Sequence, residues 1–210
     1  CKSIYNMVRL GIDDIEFILA KNSDELINKL ASNDIKTILF VGWSWIIKDE
    51  IIDNYNCICL HPSPLPKYRG GCPIQHQILS GEEKSAVTLF LMDDKVDHGP
   101  VLWQSEFALS GSLDDIFLRI SDLGVEGLAD ILRNYRESSN FSWGIEQDHS
   151  KATYYKRRKP EESEIKIQDL KKCSAQKIYN KIRALQDPYP NAYIVCRDGT
   201  KLYLTEAHYD

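Results

Sequence analysis

The sequence of 210 residues contains no long apolar run and no excess of basic charge. No stretch reaches the roughly 18 consecutive apolar residues that a membrane span requires, and no charged segment followed by an apolar one opens the chain as a secretory signal would. We therefore predict a cytoplasmic protein with no membrane partner. The formal charge is −5, from 26 Lys and Arg against 31 Asp and Glu. That balance disfavours a surface built to hold nucleic-acid phosphates, so no nucleic-acid partner is expected.

The cysteines are few and irregularly spaced. Six are present, and their spacing gives neither the paired C-x-x-C pattern of a zinc site nor the density of a disulfide framework. We expect reduced thiols and no metal cofactor. The hydrophobic share of 43% is sufficient for one full domain with a small appendage.

Short apolar runs alternate with amphipathic segments over residues 1–150. Lys36–Gly42 and Cys57–His61 have the length and composition of strands covered on both faces. A helical pattern that begins at Ser23 lies between a strand predicted over 15–19 and the first of these runs. Strand, helix, strand in this order predicts a right-handed crossover. The periodicity of Ser112–Arg136 predicts one or two long helices. These patterns indicate an α/β catalytic domain over residues 1–150 with a mostly parallel sheet.

A different pattern follows over residues 151–210, where we expect a linker and a small C-terminal helix and hairpin subdomain. The polar stretch 148–163 predicts a surface connection. Ser174–Leu185 is amphipathic, and an Asp-Gly turn at 198–199 predicts a β-hairpin. Apolar residues on this hairpin need cover, which favours a homodimer; they are Tyr193, Val195, Leu202 and Leu204. The elements predicted before residue 20 are a helix over 2–9 and a strand over 15–19.

Two segments carry the chemical signal. HPSPLPKYRGGCPI begins at His61, and DHGPVL begins at Asp97. Ligands of open α/β sheets bind beyond the carboxyl ends of the strands, where the first segment starts. From Lys36 to Trp103 the order and spacing of these motifs resemble the folate-dependent formyltransferase family, with weaker similarity from Ala152 onward. The resemblance implies a Rossmann-like formyltransferase core and N10-formyltetrahydrofolate as co-substrate.

In that family an amine attacks the formyl carbon through a tetrahedral intermediate. His61 and Asp97 match the family's catalytic His and Asp. The reaction needs a donor for the developing oxyanion and an acceptor for the proton that the attacking amine loses. In the alternative interpretation His61 only ends a strand and Asp97 only forms a turn.

The sequence departs from the family pattern at Cys59, where the family has Asn. An amide is a strong donor to an oxyanion and a thiol is a weak one, so we expect impaired activity. Alternation along the strand places Cys57, Cys59 and His61 on one face. Two alternatives remain open: a metal site formed by these three residues, or Cys59 as a nucleophile in a formyl-folate hydrolase.

The resemblance also predicts where the folate binds. Two loops would hold the pterin, largely through backbone groups. Trp43 and Trp45 either stack on the ring or pack into the core, and Asp93 and Asp94 are otherwise solvated turn residues. The predicted folate-binding residues are Gly42, Trp43, Ser44, Trp45, Ile46, Asp93, Asp94 and Val96.

The segment ATYYKRRKPEES, which begins at Ala152, indicates the acceptor. It resembles sugar-nucleotide N-formyltransferases, including bacterial enzymes that act on amino sugars of surface polysaccharides such as lipopolysaccharide O-antigen. A sugar diphosphate favours guanidinium partners. The alternatives are a methionyl-tRNA or glycinamide ribonucleotide acceptor, a hydrolase, and a non-catalytic folate- or nucleotide-binding relative. The predicted acceptor-binding residues are Ser63, Tyr68, Arg69, Gly70, Gln75 and Arg158.

Overall fold

A computed structural model describes residues 18–43 and 47–210 of the chain. The helix predicted over 2–9, most of the strand predicted over 15–19, and the folate-binding candidates Ser44, Trp45 and Ile46 lie outside the described residues. The described helices and strands are α1 (Ser23–Ser32), β1 (Thr37–Val41), α2 (Asp49–Asn54), β2 (Asn56–His61), β3 (Arg69–Gly70), α3 (Pro73–Leu79), β4 (Lys84–Leu91), β5 (Val101–Ala108), α4 (Leu113–Ser138), β6 (Tyr154–Tyr155), α5 (Ile167–Lys172), α6 (Ala175–Ala184), β7 (Ala192–Val195) and β8 (Lys201–Leu204).

Within the described residues, four strands form the central sheet in the order β1-β2-β4-β5. The β1 and β2 strands pair in parallel and are joined through α2. The predicted crossover starts from the strand over 15–19, most of which lies outside the described residues, so it stays a prediction. Both β2 with β4 and β4 with β5 pair antiparallel. The predicted α/β class is confirmed, but the sheet is mixed where mostly parallel pairing was expected. The reason is that β5 returns beside β4 as a hairpin rather than through another crossover helix.

Hydrophobic side chains cover the sheet on both faces, as continuous apolar strands require. On β2, Ile58 and Leu60 pack into the cluster that α3 and α4 complete. Cys57 and Cys59 point to the opposite side, into the cluster formed with α1 and α2. The alternation predicted for this strand is therefore present, and it directs Cys59 to the same side as His61.

The chain's last fifth forms a smaller unit of helix and hairpin. Helix α6 and strands β7 and β8 enclose a separate cluster around Ile165, Ile182 and Leu185. Of the hairpin residues expected to need cover, Tyr193 is buried, whereas Val195 and Leu202 are exposed. In the described part of the chain, no helix combines the length and apolar character that membrane crossing demands.

Candidate active site

His61 and Asp97 meet in the structure. The His61 Nδ1 atom lies 3.5 Å from Asp97 Oδ2, and the His61 Nε2 atom lies 2.9 Å from the backbone oxygen of Tyr68. A carbonyl oxygen only accepts, so Nε2 must carry the proton that this hydrogen bond needs. In the neutral ring Nδ1 is therefore the basic nitrogen, and it faces the carboxylate. The pair can take up a proton from a nearby amine.

The loop that carries Asp97 folds back across the sheet. Strand β4 runs toward the start of β2, where the Met92 amide donates to the Cys57 oxygen over 2.8 Å. The loop must then return over the face that holds Cys59 to reach His61. Gly99 permits this return, because a Cβ atom at that position would lie 1.9 Å from the Leu91 backbone oxygen.

Asp97 has a backbone conformation that side-chain-bearing residues seldom adopt. Its φ of 50° lies in the left-handed region, which costs roughly 1–2 kcal/mol for a residue other than glycine. The Gly70 amide donates to Asp97 Oδ2 over 2.7 Å. This hydrogen bond directs the carboxylate toward His61.

Cys59 lies two residues before His61 and is partly buried. Desolvation, followed by the negative charges of Asp97 and Cys57, raises the pKa of the Cys59 thiol. Burial alone raises the pKa of Cys57 to about 11. Both thiols keep their protons near neutral pH, so Cys59 is suited to weak donation and not to nucleophilic attack. Its Sγ donates to the Leu60 oxygen over 3.8 Å.

The described residues lend no support to the metal alternative. Within the described ranges, no group of three or more His, Cys, Asp or Glu side chains is arranged to hold a metal ion. Cys57, Cys59 and His61 all lie within those ranges and do not form such a group.

Two loops contain the predicted folate-binding residues. Trp43 is half-buried and packs edge-on against Phe40, with ring centroids 5.5 Å apart, which favours its core interpretation. Asp93 Oδ2 lies 2.5 Å from His98 Nδ1, so this carboxylate orders its own loop. The remaining described candidates are solvent-exposed; they are Gly42, Asp94 and Val96.

Several of the predicted acceptor-binding residues form side-chain hydrogen bonds within the protein. The Ser63 hydroxyl donates to the Lys67 oxygen over 2.8 Å. The Tyr68 hydroxyl donates to Glu82 over 2.8 Å, and burial with this hydrogen bond raises the pKa of Tyr68 to about 12. Gln75 is 1% exposed, and its side-chain nitrogen has no hydrogen-bond partner.

Arg69 is fully buried, contrary to a direct contact with phosphate. Its Nη1 atom donates to the Tyr154 hydroxyl over 2.6 Å, and its Nη2 atom donates to Gln147 Oε1 over 2.6 Å. The same Nη2 lies 3.0 Å from His149 Nδ1. A phosphate would have to displace these partners. The acceptor-binding role of Arg69 stays a prediction, and its buried partners could not be seen from the sequence.

Arg158 is better placed to meet a ligand. It is only half-buried, and its Nη2 atom donates to the Glu162 backbone oxygen over 3.0 Å. Its amide donates to Cys72 Sγ over 3.5 Å, which fixes the basic segment beside the start of α3.

Three residues near the site were not found from the sequence: Gln147, His149 and Tyr154. His149 and Tyr154 come from the stretch 148–163, which was predicted to be a surface connection, and Gln147 directly precedes it. That stretch instead contains β6, which pairs in parallel with β3. Two-residue strands have no periodicity, so no sequence signal could have identified this pairing.

The fold is of the α/β class, and it brings His61 and Asp97 together beyond the end of β2. The chain belongs to the formyl transferase family: a model described as "Formyl transferase" matches residues 19–132, and one described as "Formyl transferase, C-terminal domain" matches residues 158–210. The predicted Rossmann-like formyltransferase core is thereby confirmed.

Individual relatives extend this picture. The methionyl-tRNA formyltransferase of Carboxydothermus hydrogenoformans is 31% identical over 191 residues, which cover 89% of this chain and 59% of that protein. The chain thus spans about three fifths of the curated relatives it matches. A solved methionyl-tRNA formyltransferase from Clostridium thermocellum is 28% identical with a TM-score of 0.78, over 96% of this chain and 91% of that one. A 4-N formyltransferase from Francisella tularensis shares the fold at 20% identity and a TM-score of 0.70, over 85% and 73%.

Proposed function

We propose that this chain transfers a formyl group from N10-formyltetrahydrofolate to the amino group of a nucleotide-linked amino sugar. The observation that carries the proposed reaction is the convergence of His61 and Asp97. The family assignment supports it, because formyl transfer to an amine requires a proton acceptor at this point.

The geometry suggests how the pair would act. The folate supplies a formyl group bound to nitrogen, and the amine forms a new C–N bond as the bond to the folate nitrogen breaks. His61 Nδ1 accepts the proton that the amine loses, while Tyr68 holds the opposite ring nitrogen. Asp97 stabilises the resulting imidazolium, because its carboxylate faces Nδ1. The proton then passes to the departing folate nitrogen, so that none is gained or lost by the protein.

Cys59 would face the oxyanion that develops on the formyl oxygen. A protonated thiol supplies a weak hydrogen bond there. We therefore infer that transfer proceeds, but more slowly than with the family's amide.

The acceptor assignment rests on where the positive charge lies. A basic run over 156–159 follows β6, and its backbone lies directly against Gly71, where a Cβ atom would be 2.6 Å from the Arg157 amide nitrogen. The chain as a whole is acidic, with a charge of −5. A local basic cluster on an acidic protein suits a compact diphosphate better than a long polyanion.

Methionyl-tRNA is the second candidate acceptor. The curated relatives at about 31% identity favour it. Because the chain spans only part of those proteins, their substrate is a competing hypothesis here and not a property of this chain.

A direct comparison of acceptors tests the proposal. Purified protein is incubated with N10-formyltetrahydrofolate and a panel of nucleoside-diphosphate amino sugars, with methionyl-tRNA, with glycinamide ribonucleotide, or with no acceptor. Formylation of one of the amino sugars is expected. Formylation of methionyl-tRNA alone would overturn the acceptor assignment, and formate release without an acceptor would indicate a hydrolase.

A further inference from the structure

The turn that presents Asp97 is held by a side chain from a distant part of the chain. The Gln147 Nε2 atom donates to the backbone oxygen of Asp97 over 3.1 Å and to that of Gly99 over 2.7 Å. The two hydrogens of this amide are thereby used on both sides of one turn. Gln147 is 7% exposed, so water competes little for these bonds.

The orientation of the Gln147 amide is fixed by Arg69. A guanidinium group only donates, so the amide oxygen must face Arg69 Nη2, at 2.6 Å. The amide nitrogen is then directed to the turn. In the reversed orientation the Gln147 nitrogen would face the Arg69 guanidinium, which is also a donor. The Gln147 oxygen would then face the backbone oxygens of Asp97 and Gly99, which are also acceptors. His149 Nδ1, which faces the same Nη2, must likewise accept.

Adjacent residues of β3 therefore hold Asp97 from two directions. The Arg69 side chain acts through Gln147 on the backbone of the turn, and the Gly70 amide binds the carboxylate directly. Both contacts stabilise the left-handed backbone conformation of Asp97, which would otherwise relax to a more favourable one. This arrangement gives the fully buried Arg69 a structural role beside the site.

We propose that Gln147 is a positioning residue for Asp97, with its amide oriented by the buried Arg69. The part played by Asp97 in formyl transfer rests on the proposed function. The hold on Asp97 rests only on the contacts given above.

Amide hydrogen exchange tests, without any substrate, whether Gln147 fixes the position of Asp97. Gln147→Glu keeps the size of the side chain and an acceptor for Arg69, but it removes both donors to the turn. We expect the Gly70 amide, which bonds to Asp97 Oδ2, to exchange at least tenfold faster in this variant. The Arg69 and Gly71 amides bond to the Thr153 and Tyr155 oxygens and should keep their protection.

Two variants calibrate this measurement. Asp97→Ala removes the acceptor of the Gly70 amide and defines complete loss of protection. Gln186→Glu is the matched control, because Gln186 also bridges two backbone groups, the Leu113 amide and the Thr205 oxygen. Unchanged Gly70 exchange in Gln147→Glu would overturn the proposal, and faster exchange at all three amides would indicate local unfolding and overturn it too. Gln147→Met, which is apolar and similar in length, repeats the test if the glutamate variant fails to fold.

Turnover tests whether the position of Asp97 affects catalysis. The assay uses the acceptor that the comparison under the proposed function selects. Misplacement of a reacting group by about 1 Å costs on the order of 100-fold in rate. We expect kcat in Gln147→Glu to fall between roughly tenfold and 100-fold, with KM for the folate unchanged. A rise in KM with kcat unchanged would overturn the positioning role. If the Gly70 amide loses protection while turnover stays at the native rate, Gln147 does position Asp97. That result would overturn the catalytic role of Asp97.

Discussion

His61 and Asp97 face each other across 3.5 Å even though β4 ends and β5 begins at the opposite edge of the sheet from His61. Strand β4 ends beside the start of β2, and the loop after it returns over the sheet. The site therefore depends on the conformation of one loop as much as on the edge of the sheet. Contacts to that loop become the natural targets for mutation.

Replacing Cys59 by asparagine should raise the rate of formyl transfer. The amide provides a firm donor where the thiol provides a weak one, and loss of one oxyanion donor costs roughly 100- to 1,000-fold in well-studied enzymes. We expect partial recovery, about tenfold or more, in single-turnover experiments with Cys59→Asn.

A second variant separates the two explanations for Cys59. If the thiol only donates weakly, Cys59→Ala should slow transfer by a few-fold at most. A nucleophilic thiol would make both variants inactive, since neither side chain can form a formyl-thioester. A large fall in rate for Cys59→Asn would contradict the donor explanation.

The raised pKa of Cys59 predicts slow thiol chemistry. A thiol whose pKa lies above its ordinary value is protonated at pH 8, and only the thiolate reacts with iodoacetamide. At pH 8 we expect Cys59 to be alkylated at least tenfold more slowly than the exposed Cys196. Peptide mass spectrometry over time measures both rates in one sample, and equal rates would show that Cys59 is ionised.

Removal of the Arg158 guanidinium should weaken the acceptor more than the folate. Hydrogen bonds to charged groups contribute about 1.5–3 kcal/mol, which corresponds to roughly 10- to 100-fold in affinity. We expect KM for the nucleotide sugar to rise within this range in Arg158→Ala, with KM for the folate unchanged. The control is Arg133→Ala, which removes an exposed guanidinium from α4. Equal effects on both substrates would exclude a phosphate contact.

Much of the fold is predictable because its elements have strong local signals. The strand ending at His61 is a continuous apolar run, and α4 spans Leu113–Ser138, where the periodicity of Ser112–Arg136 predicts one or two long helices. The pairing of β3 with β6 is not predictable, because two-residue strands have no pattern and their partners are distant in sequence. Locally encoded elements can be read from sequence, whereas contacts between loops require the folded chain.

The candidate site divides in the same way. His61 and Asp97 follow from the family resemblance, and their contact is seen in the structure. The burial of Arg69 was not foreseen, because the sequence shows its charge but not the partners that surround it. Gln147 gave no signal, since its role comes from two backbone oxygens that fold against it. The folate contacts, the homodimer and the cytoplasmic location stay predictions.

The most direct test of the account is single-turnover formyl transfer by the native protein and by Asp97→Asn. Asparagine matches aspartate in size and tolerates the left-handed backbone, but it cannot hold the charge that stabilises protonated His61. We expect transfer to fall by roughly 100- to 10,000-fold with the thermal unfolding midpoint unchanged. Asp122→Asn, on the exposed side of α4, serves as the matched control and should retain the native rate. Near-native transfer by Asp97→Asn would contradict the assignment of this pair as the centre of the reaction.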